Sequence, residues 1–262
     1  MALNINDITF EKRGKVGWIT INRPDAANVL NSATVLALEQ AVDDVKKSPD
    51  LFVGVIIGAG DRFFSAGADL KELGKLDVVW NTEYCKTCHR VFSKIESMGK
   101  PFIVGINGVA MGAGLELALA GTLRVMSEKA YLALPEVGLG VIPGAGGTQR
   151  LPRLIGKSRA TWYILTGERI TAEVAAHTGL VHKVAPADQV QAECEKLAAT
   201  LSGKSPYAMA LVLQAINGGS EIDLADGLAL ETALMGLATA SEDAKEGIQA
   251  VANKRPPNFK GR

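Results

Sequence analysis

Two glutamates in unusual settings mark residues 100–150, KPFIVGINGVAMGAGLELALAGTLRVMSEKAYLALPEVGLGVIPGAGGTQR. Glu116 follows Gly112-Ala113-Gly114-Leu115, a small-residue turn directly after an apolar strand. Glu136 follows Pro135 at the end of another apolar strand, with Gly138 and Gly140 just beyond it. Each carboxyl group sits among residues that are normally buried, where desolvation raises its pKa toward values useful for proton transfer. Taken singly, either glutamate reads equally well as a helix cap or a solvent-facing charge. The pair in this glycine context points to chemistry. A backbone N–H at the opening of a helix lacks an intrahelical acceptor, and the helix dipole adds positive potential there. Two such donors converging on one oxygen form an oxyanion hole, worth ~3–4 kcal/mol per donor in the transition state. A carbonyl compound bound there is polarised toward an enolate. Two carboxyl groups of differing protonation can then deliver water and a proton to its double bond. That is general acid–base chemistry on a carbonyl-activated substrate, and it needs no metal.

Competing motifs fail on spacing. A dinucleotide fingerprint starting at Gly112 needs glycine at 117, which is Leu117. Gly156-Lys157-Ser158 mimics the end of a phosphate-binding loop, but the required first glycine is Leu151; before Gly203-Lys204-Ser205 it is Ala198. No G-x-S-x-G elbow is present for a serine hydrolase. Cys85-Lys86-Thr87-Cys88-His89 spells the c-type haem attachment pattern. It falls in a segment of helical character, where Cys85 and Cys88 share a face as two small core residues also would. Chance is the better account. With Cys194 the cysteines number three, which is no disulfide framework. His89, His177 and His182 lack metal-ligand spacing and read as surface or ordinary polar positions.

Composition narrows the class further. The chain has 262 residues, 47% hydrophobic and 21% charged, enough for a sizeable core and against wholesale disorder. Lysine plus arginine and aspartate plus glutamate both number 28, so no basic excess suggests a nucleic-acid partner. Aromatic residues at 5% also argue against base-stacking platforms. With no signal-like start and no run of 18 apolar residues, the expectation is a soluble cytoplasmic protein without a membrane partner.

The elements that must position the glutamates follow in order. Residues 8–13 and 16–23 form a hairpin around Gly14-Lys15. Ser32 is the expected N-cap of a helix to about residue 47, with Val35, Leu38, Val42 and Val45 on one face. Residues 51–60 and 101–107 read as strands buried on both faces. Between them, small residues at 65–68 allow close approach to the backbone, and a helix spans 81–98. Strands near 123–126 and 131–134 lead to Pro135-Glu136. Strand-then-helix order to about residue 185 argues an α/β layered sheet. Helices at 187–201, 206–217, 222–238 and 241–253 complete the chain, two of them separated by Asn217-Gly218-Gly219-Ser220. This helical tail suits a packing or assembly module.

In combination these blocks resemble the crotonase (enoyl-CoA hydratase/isomerase) superfamily over almost the whole chain. The resemblance rests on Ala66-Gly67-Ala68-Asp69-Leu70-Lys71-Glu72, on the block from Asn107 to Glu116, and on Pro135-Glu136. It continues through Gly144-Ala145-Gly146-Gly147-Thr148-Gln149-Arg150-Leu151-Pro152-Arg153 and the tail from Lys254 to Gly261. It implies a spiral of ββα repeats over residues 1–197 and a helical trimerisation region over 198–262, assembled as a homotrimer or dimer of trimers. It implies an oxyanion hole from the N–H groups of Ala68 and Ala113, and a catalytic water held by Glu116 and Glu136, with Glu136 giving the α-carbon its proton. Coenzyme A enters as part of the thioester substrate, with no tightly bound cofactor and no metal. Its adenine end is expected near Ala26, Ala66, Asp69 and Leu70, with Phe259 and Lys260 of a neighbouring subunit as further candidates. Hydratases of the superfamily keep both glutamates, whereas isomerases usually keep only the counterpart of Glu136. The resemblance therefore favours syn-hydration of a 2-trans-enoyl-CoA. An isomerase or dienoyl-CoA enzyme of the same fold is the runner-up, and a non-catalytic RNA-binding or assembly member and a haem carrier are the alternatives from other classes. Position 113 departs from the pattern, being alanine where glycine is commoner. Alanine keeps the N–H but disfavours positive φ, so the hole survives only if this backbone is helical. Leu115 and residues 78–80 are the expected walls of the acyl pocket, which leaves room for a bulky, branched or cyclic enoyl group.

Overall fold

A computed structural model describes residues 7–74 and 77–262. The hairpin forms as expected from β1 (Ile8–Arg13) and β2 (Val16–Ile21), paired antiparallel. β2 stops at Ile21, two residues early, and Pro24 opens a 3-10 turn over Pro24–Ala26. Three turns of a spiral then follow. The first comprises β3 (Val53–Gly58), β4 (Phe63–Ser65), α2 (Leu70–Leu73) and α3 (Val78–Ser97), after α1 (Ser32–Lys47). The second comprises β5 (Phe102–Ile106), β6 (Val109–Met111) and α4 (Ala113–Ala120). The third comprises β7 (Leu123–Ser127), β8 (Tyr131–Ala133), α5 (Gly147–Ile155) and α6 (Lys157–Thr166).

In each turn the first strand joins one sheet and the second strand joins another. One sheet runs β1-β2-β3-β5-β7-β10 and the other β4-β6-β8-β9, where β9 is Ile170–Thr171, α7 is Ala172–His177 and β10 is Lys183–Ala185. Outside the hairpin and the β8–β9 pair, all pairings are parallel. β3 and β5 are buried at every position, as parallel strands covered on both faces must be. Val55, Ile57 and Ile103 pack on one side with Val190, Cys194 and Ala198 of α8 (Val190–Ser202). Ile56, Val104 and Ile106 pack on the other with Val35, Leu38 and Val42 of α1 and Phe92 and Ile95 of α3. Each such aliphatic side chain contributes about 1.5–3 kcal/mol on full burial.

Helix starts differ in instructive ways. Asn31, not Ser32, caps α1, its Oδ1 accepting from Thr34 N at 2.8 Å. Ser32 instead donates its N–H and hydroxyl to Glu72 Oε2 at 2.9 and 2.8 Å, tying α1 to α2. α3 begins at Val78, three residues early, because Asp77 accepts from Trp80 N at 2.9 Å as its cap. The tail is helical as expected: α9 (Pro206–Gly219), α10 (Leu224–Ala240) and α11 (Glu242–Ala252). Gly218 and Gly219 continue α9 instead of breaking it. The expected division at 197/198 falls within α8, whose Ala198 still faces the sheet. α9 buries none of its residues and α10 only Leu234. No helix among the described residues is long and apolar enough to cross a membrane.

Candidate active site

The spiral brings two backbone turns against each other at the ends of β4 and β6. Gly67 has φ 98°, and a Cβ there would lie 2.7 Å from Met111 O and 3.2 Å from Ala113 N. Only glycine permits so close an approach. Ala68 forms a parallel bridge with Leu30: Leu30 N donates to Gly67 O at 2.8 Å and Asp69 N to Leu30 O at 3.4 Å. In that pattern the flanking groups face Leu30, so the N–H of Ala68 itself points the other way. Ala113 is the first residue of α4, and its N–H has no carbonyl one turn earlier to bond within the helix. The positive φ of this turn falls on Gly112, at φ 50° and ψ −130°, while Ala113 is helical. Alanine at 113 therefore carries no backbone strain. The two turns can present two N–H donors to one oxygen.

Glu116 lies in the first turn of α4 and is 2% exposed. Its Oε1 accepts from Ala145 N at 2.8 Å and Gly147 N at 2.7 Å. Gly147 opens α5, so that helix directs its positive end at the carboxylate. Burial pushes the Glu116 pKa up, against the lowering effects of the Gly147 and Ala145 bonds and of the Arg150 charge. Both bonds fall on Oε1, leaving Oε2 for a water or substrate.

Glu136 occupies the other side of Gly112. It opens a 3-10 turn, Glu136–Leu139, after Pro135. A Cβ on Gly112 would stand 3.1 Å from its Oε1. Its Oε2 is buried and has no hydrogen-bond partner among the described residues. Burial lifts its pKa from 4.5 to about 7, with the charge of Glu116 adding to the rise. The two carboxyl groups thus sit close enough to interact and are held differently. Glu116 is gripped by backbone donors, and Glu136 is poised to exchange a proton near neutrality.

The remaining expected residues divide. Ala26 is exposed in the Pro24–Ala26 turn, and Ala66 N donates to the adjacent Ala27 O at 3.0 Å, so these two segments meet beside Ala68. Asp69 caps α2 through Lys71 N at 2.9 Å and lies 3.8 Å from Arg23 in an ion pair. Leu70 is 62% exposed beside it. Phe259 and Lys260 lie within their own chain on α11: a Cβ on Gly247 would be 3.4 Å from the Phe259 ring, and Lys260 N donates to Asp243 at 2.7 Å. Leu115 is fully buried in the core, whereas Val78 and Val79 are exposed and Trp80 stacks on Tyr84 at 5.2 Å between ring centroids. Cys88 is buried with its thiol pushed up to about 12, while His89 is exposed on the same helix. That separates the thiol from the histidine that haem attachment would pair with it. No group of three His, Cys, Asp or Glu suited to a metal occurs among the described residues.

Sequence reasoning missed the residues that hold this site in place. Asn28 adopts φ 53° and donates to Ala59 O and Phe63 O at 2.9 and 2.8 Å while accepting from Arg23 N. Asparagine's tolerance of the left-handed region was the available signal. Tyr84 donates its hydroxyl to Leu30 O at 2.8 Å, behind Ala68. Arg150 bonds Glu96 through two nitrogens, at 2.8 and 2.6 Å, and Ala145 O at 3.1 Å. Nothing in the local sequence pairs residues so far apart.

Known proteins share this arrangement of fold and chain. A family model described as enoyl-CoA hydratase/isomerase matches residues 11–262. The short-chain-enoyl-CoA hydratase of Clostridium acetobutylicum is 36% identical over 261 residues, covering 99% of this chain and 100% of that protein. The 2,3-dehydroadipyl-CoA hydratase of Escherichia coli is 40% identical over 258 residues, covering 98% and 100%. A crystal structure of enoyl-CoA hydratase from Bacillus anthracis superposes with a TM-score of 0.95 at 36% identity, covering 98% of this chain and 100% of that one. The chain belongs to the enoyl-CoA hydratase/isomerase family and has the crotonase fold.

Proposed function

We propose that this protein is a hydro-lyase that adds water syn across the 2,3 double bond of a 2-trans-enoyl-CoA, giving a 3-hydroxyacyl-CoA. The observation that carries the reading is a pair of interacting glutamates, one gripped by backbone donors and one with a pKa near 7, beside the turns of Ala68 and Ala113 that approach each other at Gly67. Relatives named as hydratases support it. The N–H groups of Ala68 and Ala113 donate to the thioester oxygen and stabilise the enolate that develops there. Glu116, ionised, takes a proton from a water whose oxygen bonds to C3. The electron pair of the double bond moves toward C2 and the thioester oxygen. Glu136, protonated in a substantial fraction near neutral pH, gives its proton to C2. A proton then passes from Glu116 to Glu136 and restores both groups.

The coenzyme A moiety serves as the handle of the substrate, its adenine end near Ala26, Ala66, Asp69 and Leu70. Phe259 and Lys260 contribute from a neighbouring chain. That requires assembly, as a homotrimer or dimer of trimers, through the helical region counted from residue 198. Exposed Val212, Ile216, Leu228, Met235 and Leu237 on α9 and α10 support it, since they leave apolar surface for another chain to cover.

The test is loss of conjugated-enoyl absorbance on mixing with crotonyl-CoA, beside Glu116→Gln and Glu136→Gln. Turnover that each variant lowers by about 10²–10⁴-fold is the expected result. Conversion of a 3-enoyl-CoA to its 2-enoyl isomer, with crotonyl-CoA untouched, would move the assignment to an isomerase.

A further inference from the structure

The backbone that grips Glu116 is itself gripped. Arg150, on α5, donates Nε to Glu96 Oε1 at 2.8 Å and one terminal nitrogen to Glu96 Oε2 at 2.6 Å, a two-pronged pair linking α5 to α3. The same nitrogen approaches Ser93 Oγ at 3.3 Å. The other terminal nitrogen donates to Ala145 O at 3.1 Å. The guanidinium presses on Gly146, where a Cβ would meet it at 2.0 Å. Gly146 stands at φ 113°, a conformation that suits glycine. The residues on either side of Gly146, Ala145 and Gly147, supply the two N–H groups on Glu116 Oε1. One side chain therefore fixes the loop from the carbonyl side while Glu116 receives its N–H side.

We propose that Arg150, anchored by Glu96, is a positioning residue that aims the Ala145–Gly147 backbone at Glu116 and brings a positive charge to that side of the carboxyl group. The proposal rests on the hydratase reading for the role of Glu116. Its electrostatic half follows from the neighbours of Glu116. From α3 it is faced by Tyr84, Cys85 and Cys88, all pushed up by burial and so neutral at working pH. From the turn after β8 it is faced by Glu136, which brings negative charge. Arg124 is occupied at the opposite end of α4, donating to the carbonyls of Leu180 and Gly121. Arg150 is the one cation from α5 that favours the ionised form. Glu96 decides where that cation sits. A bidentate arginine–carboxylate fork holds its plane, whereas a lysine would supply the charge without the geometry.

Arg150→Lys, Arg150→Gln and Glu96→Gln separate these two contributions. Turnover of crotonyl-CoA is followed from pH 5 to pH 9, and the Glu116 carboxyl is titrated by carbon-13 NMR, assigned by its absence in Glu116→Gln. Arg150→Gln should move the acidic limb of kcat and the NMR titration of Glu116 upward together by about one pH unit. The resulting loss is about tenfold greater on the acidic limb than at the pH optimum. Arg150→Lys should lower kcat over the whole range with the titration unmoved, and KM should change little in either. Glu96→Gln should lower kcat in the same way as Arg150→Lys. A folded Arg150→Gln whose pH profile runs parallel to that of the parent, with an unmoved NMR titration, overturns the proposal. Should Arg150→Gln fail to fold, Arg150→Lys and Glu96→Gln with full kcat would overturn the positioning role. A parent protein inactive on every enoyl-CoA would defeat the hydratase reading instead, and the NMR titration would still decide whether Arg150 controls Glu116.

Discussion

Glu136 offers a test of the site that needs no substrate. Its pKa rises from 4.5 to about 7 on folding, chiefly by burial. Between those values the folded protein binds a proton that the unfolded chain releases, so folding stability falls as pH increases through this window. A rise of about 2.5 pH units (from 4.5 to 7) at 1.36 kcal/mol each sets a ceiling of about 3 kcal/mol. The side chain is not wholly removed from solvent, and screening lowers the usable figure to about 1–2 kcal/mol. Glutamine has nearly the same shape and no charge at any pH. Glu136→Gln should therefore lie close to the parent near pH 5, where most of this loss has yet to occur, and exceed it clearly at pH 8. For a chain of this size about 1–2 kcal/mol corresponds to a Tm gain of about 2–8 °C. Thermal unfolding of both proteins at the two pH values, at one concentration, measures the double difference and cancels effects common to both. A gap between the variants that is the same at pH 5 and pH 8, or one that reverses at pH 8, would refute the buried, partnerless setting of Oε2. In the proposed mechanism the same substitution removes the proton donor, so greater stability should accompany loss of turnover.

Two further outcomes follow from the backbone around the site. Ala113→Pro removes the N–H at the first position of α4, where proline is tolerated. It should therefore leave the circular dichroism spectrum unchanged while lowering kcat by about 10²–10³-fold. Tyr84→Phe deletes the bond to the Leu30 carbonyl behind Ala68; denaturant unfolding should detect a loss of about 1 kcal/mol, and steady-state kinetics a fall in kcat larger than any change in KM.

Much of this protein was legible in its sequence, because much of it is local. Continuous apolar runs at β3 and β5 signal parallel strands covered on both faces, and both are buried at every position. Gly112 before an alanine-rich helix signals an opening with free N–H groups, and Glu116 and Glu136 stand out because carboxyl groups rarely occupy such surroundings. Helix boundaries were less legible. Asn31 and Ser32 are both good caps, and the choice went to Asn31 because Glu72, forty residues away, engages Ser32.

The sequence by itself thus determined the class of strands and helices, the donors and carboxyl groups of the candidate site, and their order along the chain. Only the tertiary structure decided their state. Glu116 and Glu136 differ because one meets the N-terminus of α5 while the other keeps its Oε2 buried with no partner among the described residues, a contrast set by how the spiral stacks its turns. The hold of Arg150 on Glu96, and of Tyr84 on Leu30, joins residues 54 positions apart, and no local period encodes them. Propensity and patterning act over a few residues, whereas desolvation and hydrogen-bond pairing depend on what the finished fold places next to each group.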